Sequence, residues 1–198
     1  MPKVVVIAGP NGAGKSTAAP AVLRNTLHVN EFVNADTIAA GLSAFSPDAV
    51  AVAAGRIMLE RVRQLASEGR DFAFETTLAS RSFAPWLKRL QLDGYVFHLV
   101  YIWLPTVELA VARVAERVRR GGHMVPEDTV RRRYDRSLFN FFGIYSQFAD
   151  SWLMVNNSVR PRPRVVAKRA VGRSTRIFRA DEWSALRAKY ERQESIEG

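Results

Sequence analysis

The sequence predicts an α/β fold of three layers, with a central, mainly parallel sheet covered by helices on both faces. Two observations support this prediction. Short apolar runs alternate along the chain with longer segments of helical periodicity. The first run, Lys3 to Ala8, is continuously apolar and rich in valine, which is typical of a strand buried on both faces of a parallel sheet.

The remaining elements follow in the same alternation. Further strands are expected at 31–34, 71–76, 95–104, 152–155 and 165–167, and helices at 15–27, 47–68, 82–92, 126–142 and 181–193. A helical stretch also runs through Ile38 and Leu42, and Pro105-Thr106 opens another helix. The helix after Pro47 is expected to bury one face, which comprises Val50, Ala54, Ile57, Met58, Val62 and Leu65.

Length and composition exclude several classes of protein. The 198 residues suit a single domain, 1–198, with a sizeable core. The absence of cysteine excludes disulfides, thiol catalysis and thiolate metal sites. No apolar run approaches the roughly 18 residues that span a bilayer, and the first residues lack the features of a signal peptide. We therefore expect a cytoplasmic protein without a membrane partner.

A phosphate-binding loop is indicated by GPNGAGKST, which matches the pattern G-x-x-x-x-G-K-[ST]. The glycines let backbone N–H groups turn toward a phosphate, Lys15 places a cation on the β- and γ-phosphates, and the Ser16 hydroxyl is a ligand for Mg²⁺. A chance match is the alternative, but the preceding strand and following helix give the required context. The residues expected to bind a nucleoside triphosphate are Gly9, Pro10, Asn11, Gly12, Ala13, Gly14, Lys15, Ser16 and Thr17.

A carboxylate, Asp36, follows the second predicted strand. Ligands of open α/β sheets bind at the carboxyl ends of the strands, so Asp36 is expected to face the phosphate loop. It could accept the proton of an acceptor hydroxyl, hold magnesium through water, or simply cap the helix that follows.

The segment FETTL, at the end of the third predicted strand, carries a second candidate group. Glu75, Thr76 and Thr77 offer a carboxylate and two hydroxyls, which suit a polyhydroxylated substrate. Arg81, three residues after this segment, is assigned to the substrate site with them. The alternative is a helix cap formed by one of the threonines.

Arginines at helical spacing predict a lid over residues 113–133. Arg113, Arg117 and Arg120 share one helix face, and Gly121-Gly122 gives a flexible turn before Pro126. A second helix returns with more arginines. Their guanidinium groups could stabilise a transferring phosphoryl group, or the run could be a solvated basic face. The lid candidates are Arg113, Arg117 and Arg133 for catalysis, Arg120 for ATP, and His123 and Arg132 for the substrate.

The net charge of +10 calls for an anionic partner. A basic C-terminal extension, residues 160–198, allows a nucleic-acid-binding protein regulated by nucleotide. However, this extension shows no RNA-recognition motif and no aromatic residues between its first basic clusters, so nucleic acid is the less favoured partner.

Five segments together resemble the zeta toxin family of P-loop kinases. They are GPNGAGKST, FVNADTIAAGL, FAFETTLASR, LVYIWLP and RVRRGGHMVPEDTVRRRY, within residues 3 to 158. The resemblance implies a three-layer P-loop kinase fold with a helical lid. It also implies a kinase that uses ATP and Mg²⁺ to phosphorylate the 3′-hydroxyl of UDP-N-acetylglucosamine, or a related UDP-sugar, and a partner antitoxin that blocks the ATP site.

The resemblance also implies roles for individual residues. Lys15 and Ser16 would bind ATP and magnesium, Asp36 would be the base, and Glu75 and Thr77 would hold the sugar nucleotide. Arg113 or Arg117 matches the first lid arginine. The position of the second falls near His123, so that Arg132 or Arg133 would substitute for it. This departure leaves another hydroxylated acceptor, an antibiotic or a metabolite, as the alternative substrate. The basic charge of the chain would suit an acidic antitoxin.

Overall fold

A seven-stranded sheet forms the centre of the computed structural model, which describes residues 1–43, 47–122, 124–159 and 163–197. The strands are β1 Lys3–Ala8, β2 Glu31–Val33, β3 Phe72–Thr76, β4 Val96–Trp103, β5 Ser151–Asn156, β6 Arg164–Arg169 and β7 Arg176–Ile177. Their order across the sheet is β2-β3-β1-β4-β5-β6-β7. The first five positions are parallel, whereas β6 and β7 are antiparallel to their neighbours.

Helices lie between the successive strands from β1 to β5, and one more follows β7. They are α1 Lys15–Val22, α2 Ala35–Leu42, α3 Ala51–Ser67, α4 Phe83–Leu92, α5 Val107–Arg119, α6 Glu127–Asn140, α7 Ser146–Phe148 and α8 Ala180–Glu197. Wider π-helical turns, Leu23–Leu27 and Phe141–Tyr145, extend α1 and α6. A 3₁₀ turn, Pro47–Val50, leads into α3.

The core divides into two clusters, one on each face of the sheet. Within β1, Val4 and Val6 pack with α3 and α4 residues on one face, whereas Val5 and Ile7 pack with α1 and α5 residues on the other. This alternation buries the strand on both sides and explains why its sequence is apolar throughout. The predicted α/β class, with three layers and a mainly parallel sheet, is therefore confirmed.

Three details differ from the sequence prediction. Val50 was expected on the buried face of the helix after Pro47, but it ends the 3₁₀ turn before α3 and is only half-buried. Ile57 was expected on the buried face of α3, but its side chain is 39% exposed. The buried stripe runs through Ala54, Met58, Val62 and Leu65, at spacings of four, four and three residues, and Ile57 lies beside it. The strand β7 was not predicted, since two residues are too few to show a period.

Candidate active site

The phosphate loop joins β1 to α1 and has the left-handed backbone that its glycines allow. Gly12 and Gly14 have φ values of 78° and 85°, which are rare for residues with a side chain. A Cβ atom at Gly12 would also lie 2.6 Å from the carbonyl oxygen of Ala110, in α5. The side chain of Asn157 donates a hydrogen bond of 2.7 Å to the carbonyl oxygen of Ala13, which ties the loop to the end of β5. The loop is thus held by the elements on either side.

Lys15 lies within this loop, and its side chain is almost buried. Its Nζ donates to the carbonyl oxygen of Pro10 at 3.2 Å and lies 3.6 Å from Oε1 of Glu75. Burial lowers the pKa of Lys15, and the nearby charges of Glu75 and Asp36 act in the opposite direction. The ammonium group is therefore placed where an incoming phosphate would compensate its lost hydration.

Glu75, at the end of β3, contacts the phosphate loop directly. Ser16 Oγ donates to Glu75 Oε2 at 2.7 Å, and Asn34 Nδ2 donates to the same oxygen at 2.7 Å. Strand pairing explains the contact, because β3 lies between β1 and β2 and all three end at the same edge. The sequence placed Glu75 with the acceptor, whereas the structure places its carboxylate against the hydroxyl expected to bind magnesium.

Asn34, which the sequence analysis did not assign to the site, caps α2. Its Oδ1 accepts hydrogen bonds from the backbone N–H groups of Asp36, at 2.7 Å, and Thr37, at 3.3 Å. The interpretation of Asp36 as the helix cap is therefore wrong, and its carboxylate is not used in capping. The sequence Asn-Ala-Asp after an apolar strand could have predicted this cap, because asparagine is among the best N-cap residues.

The Asp36 carboxylate faces an arginine of α5. Its Oδ2 lies 3.8 Å from Nη1 of Arg117, and the two side chains are 58% and 38% exposed. At this distance and exposure the pair contributes about 0–1 kcal/mol to stability, and a ligand can readily displace it.

The other lid arginines have different partners. Arg113 donates from Nη2 to the carbonyl oxygen of Ser158 at 3.3 Å, beside the phosphate loop. Nη2 of Arg120 lies 2.7 Å from Oε1 of Glu116, and Glu116 also forms an ion pair with Arg119. Arg119 and Arg136 are exposed.

The turn after α5 packs closely against Arg117. Gly121 has a φ of 83°, and the N–H of Gly122 donates to the carbonyl oxygen of Arg117 at 2.9 Å, which closes the C-terminus of α5. A Cβ atom on Gly122 would lie 2.6 Å from Cγ of Arg117. This glycine leaves room for the arginine side chain. His123, predicted to contact the substrate, lies outside the described residues.

The loop after β3 has a strained backbone. Leu78 is buried and has a φ of 60°, an uncommon value for a leucine. Thr76 Oγ1 accepts from the N–H of Leu78, and Asn140 Nδ2 donates to the carbonyl oxygen of Leu78 at 2.9 Å. Helix α6 thus holds the loop in a conformation that would otherwise be unfavourable.

The phosphate loop, the ends of β2 and β3 and the lid arginines line a cavity of about 640 Å³. Its lining includes the predicted residues Asn11, Gly12, Gly14, Lys15, Ser16, Thr17, Asp36, Glu75, Thr76, Thr77, Arg113, Arg117, Arg120 and Arg133, together with the unpredicted Asn34, Glu116 and Val125. Gly9, Pro10 and Ala13 belong to the loop behind this surface. The cavity therefore brings together the donor and acceptor candidates.

Two predicted substrate residues lie elsewhere. Arg81 is exposed and donates from Nε to Oδ1 of Asn140 at 3.4 Å, and its guanidinium lies 5.8 Å from the ring centroid of Phe139. Arg132 is an exposed residue of α6. Neither belongs to the described lining of the cavity.

The oxygen atoms near Ser16 fit magnesium bound together with phosphates. Within the described ranges, no group of three or more Asp, Glu or His side chains could hold a metal ion by itself. Mg²⁺ commonly uses one or two protein oxygens together with phosphate oxygens and water. Ser16 Oγ and the adjacent Glu75 carboxylate match that pattern.

Comparison with known proteins agrees with this geometry. Residues 4–141, more than half of the chain, match the AAA domain family. The chain belongs to the AAA domain family. A protein of Haemophilus influenzae strain Rd, itself uncharacterised, is 32% identical over 132 residues, which are 67% of this chain and 92% of the relative. Membership of the AAA domain family, with an intact phosphate loop, implies nucleotide binding.

Solved structures of similar fold place this AAA domain protein among P-loop kinase-like folds. AvrRxo1-ORF1 in complex with ORF2 and ATP has a TM-score of 0.77 at 17% identity, over 94% of this chain. This chain spans only 63% of that one. The PezAT toxin-antitoxin system of Streptococcus pneumoniae has a TM-score of 0.62 at 13% identity, over 97% of this chain and 87% of that one. These likenesses show the fold.

No helix in the described part of the chain has both the length and the apolar character needed to cross a bilayer.

Proposed function

We propose that this chain is an ATP-dependent kinase that phosphorylates the 3′-hydroxyl of UDP-N-acetylglucosamine or a related UDP-sugar, as the toxin of a toxin–antitoxin pair. One observation carries the kinase proposal: Asp36 opens to the same cavity as Lys15 and Ser16, and its carboxylate is not used in capping α2. A carboxylate beside a phosphate loop is the arrangement that transfer to a hydroxyl requires.

The donor half consists of the loop from Gly9 to Thr17. Its backbone N–H groups and the N-terminus of α1 would hold the phosphates of ATP, and Lys15 would pair with the β- and γ-phosphates. Ser16 Oγ would hold Mg²⁺. When bound, this ion neutralises charge on the β- and γ-phosphate oxygens.

The acceptor half is built around Asp36. The acceptor oxygen attacks the γ-phosphorus, its proton passes to the Asp36 carboxylate, and the bond between the γ-phosphorus and the β–γ bridging oxygen breaks to release ADP. Thr76 and Thr77, which line the same cavity, would bind hydroxyl or phosphate groups of the acceptor.

The arginines of residues 113–133 would complete the site as its lid. Arg117 lies at the edge of the acceptor half, and Arg113 lies beside the phosphate loop. Charge that develops on the transferring group is best stabilised by such donors at fixed positions. Arg120 and Arg133 line the same cavity and would add positive charge around the triphosphate.

The proposed antitoxin follows from two observations. The net charge of +10 favours an acidic partner. Two proteins of similar fold come from paired systems, the AvrRxo1-ORF1:-ORF2 complex and the PezAT toxin–antitoxin system. A partner that covers the ATP cavity would silence the kinase.

Mass spectrometry of a purified reaction tests the proposal. Wild-type protein and Asp36→Asn would be incubated with ATP, Mg²⁺ and UDP-N-acetylglucosamine, and the sugar nucleotide would be examined for the mass of one added phosphoryl group. We expect the product with wild type and about 10²–10⁴-fold less with Asp36→Asn. ATP binding without any phosphorylated sugar nucleotide would reject this acceptor, and a screen of antibiotics and metabolites would then test the alternative substrates.

A further inference from the structure

The buried side chain of Asn34 contacts both halves of the proposed site. Its Nδ2 lies 2.7 Å from Glu75 Oε2 and 3.3 Å from Ser16 Oγ. Its Oδ1 accepts the backbone N–H groups of Asp36 and Thr37. One primary amide therefore joins the Ser16 hydroxyl, the Glu75 carboxylate and the backbone of the candidate base, Asp36.

The strand register places Asn34 at this position. Val33, the last residue of β2, pairs with Phe74 of β3, so that Asn34 and Glu75 follow side by side at the same edge of the sheet. Asn34 is only 6% exposed, so its amide has little access to water. Its hydrogen bonds are therefore made within the protein, and removing one partner leaves a buried polar group unsatisfied.

The hydrogen-bond directions favour metal binding by Ser16. Because its hydroxyl donates to Glu75 Oε2, the hydrogen atom is turned toward the carboxylate. One lone pair of the hydroxyl oxygen accepts from Asn34 Nδ2 at 3.3 Å, and the other is left for a cation. Asn34 donates to the same carboxylate oxygen and so keeps it in place. Groups that orient a metal ligand in this way commonly affect metal affinity or activity by about 10–100-fold.

We infer that Asn34 is a positioning residue: it keeps Glu75 against Ser16 and fixes the backbone of Asp36, so that the donor and acceptor halves are held in one arrangement. The part that concerns Asp36 rests on the proposed kinase function. The part that concerns Ser16 and Glu75 requires only that the loop binds ATP with Mg²⁺. A simple helix cap is the competing explanation, and it needs only Oδ1.

Two substitutions separate the cap from the bridge. Asn34→Ser retains a good N-cap side chain and removes the Nδ2 donor. Asn34→Asp also retains the cap, but it places a second carboxylate against Glu75, where like charges repel. Asn30→Ser is the matched control, because it makes the same chemical change at an exposed residue outside the described lining of the cavity.

The experiment measures the affinity for ATP with and without Mg²⁺, the unfolding midpoint of the nucleotide-free protein, and transfer to UDP-N-acetylglucosamine. For Asn34→Ser we expect a somewhat lower midpoint, because the Glu75 carboxylate loses a buried hydrogen-bond donor. The factor by which Mg²⁺ increases the ATP affinity should be about 10–100-fold smaller than in wild type, with a matching loss of kcat. Asn34→Asp should lose at least as much, and Asn30→Ser should behave as wild type.

If Mg²⁺ increases the ATP affinity of Asn34→Ser as much as that of wild type, Asn34 only caps α2 and the inference is overturned. If Asn34→Ser is too unstable to assay, Asn34→Asp gives the same test with the cap retained. The readouts also distinguish the two proposals. If wild type binds ATP but transfers nothing to the sugar nucleotide, the acceptor proposal fails, whereas the effect of Asn34 on Mg²⁺-dependent binding still decides this inference.

Discussion

The Asp36 carboxylate lies 3.8 Å from the Arg117 guanidinium, and both groups line the cavity above the phosphate loop. Each is partly exposed, so their attraction is weak and opening the pair needs about 1 kcal/mol or less. An acceptor hydroxyl can therefore take the place of the guanidinium beside Asp36. Arg117 is then available to an anionic group that enters the same cavity.

Replacing Arg117 with alanine should therefore impair transfer more than binding. We expect kcat for phosphoryl transfer to fall about 10²–10³-fold, the effect of removing one donor to the developing charge, with a smaller change in KM for ATP. Arg136→Ala is the control, since it removes an equal charge from an exposed position of α6. Equal losses in both variants would mean that only the general basic charge matters.

Gly122→Ala should disturb Arg117 without touching its charge. The new Cβ atom would lie 2.6 Å from Cγ and 2.9 Å from the carbonyl oxygen of Arg117, so that the side chain must move. We expect activity to fall about 10–100-fold, as for other small displacements of catalytic groups, while the protein stays folded.

Gly55→Ala supplies the matched control for this substitution. A Cβ atom at Gly55 meets nothing within 4 Å in the interior of α3, so this variant should keep full activity and gain about 0.5–1 kcal/mol of stability. Steady-state kinetics and urea unfolding measure the two effects. Wild-type kinetics in Gly122→Ala would show that the position of Arg117 is not critical.

The sequence was sufficient to predict the fold and most of the cavity lining, because both depend on local patterns. The apolar run of β1, the glycine-rich loop and the polar residues that end β2 and β3 are each recognisable alone, and parallel strands bring their ends together. The positions of Asp36 and Glu75 at the ends of predicted strands indicated that both would lie beside the phosphate loop. They could not show that Asn34 would cap α2 instead of Asp36.

The remaining contacts depend on packing between distant segments. Arg81 was assigned to the substrate because of its place in FETTLASR, but the side chain turns to Asn140 of α6, 59 residues away. Glu116 was not assigned, because an isolated acidic residue among arginines resembles an ordinary surface ion pair. The uncommon backbone conformation of Leu78 is held by the hydrogen bond from Asn140, and no pattern in the sequence predicts it.

Lys15→Met should separate nucleotide binding from folding. The substitution removes a buried ammonium group whose pKa is lowered by desolvation. Because this group has already lost its hydration in the folded protein, its removal should not destabilise the nucleotide-free protein through a loss of hydration. Stabilisation by ATP should largely disappear, whereas wild type should gain about 2.7 kcal/mol when ATP is present at one hundred times its Kd. Thermal unfolding with and without ATP and Mg²⁺ measures both effects. Retention of the ATP-induced shift in the variant would contradict the phosphate-binding role proposed for Lys15.

His98 should make the protein less stable in mild acid. It lies in β4, with Nδ1 2.7 Å from Ser151 Oγ, and burial is the main cause of its lowered pKa. The charge of Lys3 lowers this pKa further, whereas Asp150 and Asp71 oppose the shift. The unfolded chain therefore binds more protons than the folded protein between the lowered pKa and about 6.5, the ordinary value, so stability rises with pH across this window.

His98→Gln removes this titration and keeps a polar group near Ser151. The urea midpoint of wild type should fall as the pH decreases from about 7 through the lowered pKa of His98, and the midpoint of the variant should fall less over the same interval. Carboxylates affect both proteins alike, so the difference between the two curves isolates His98. Parallel curves would show that His98 has the same pKa in the folded and unfolded states, because only an unequal uptake of protons gives the stability a slope with pH.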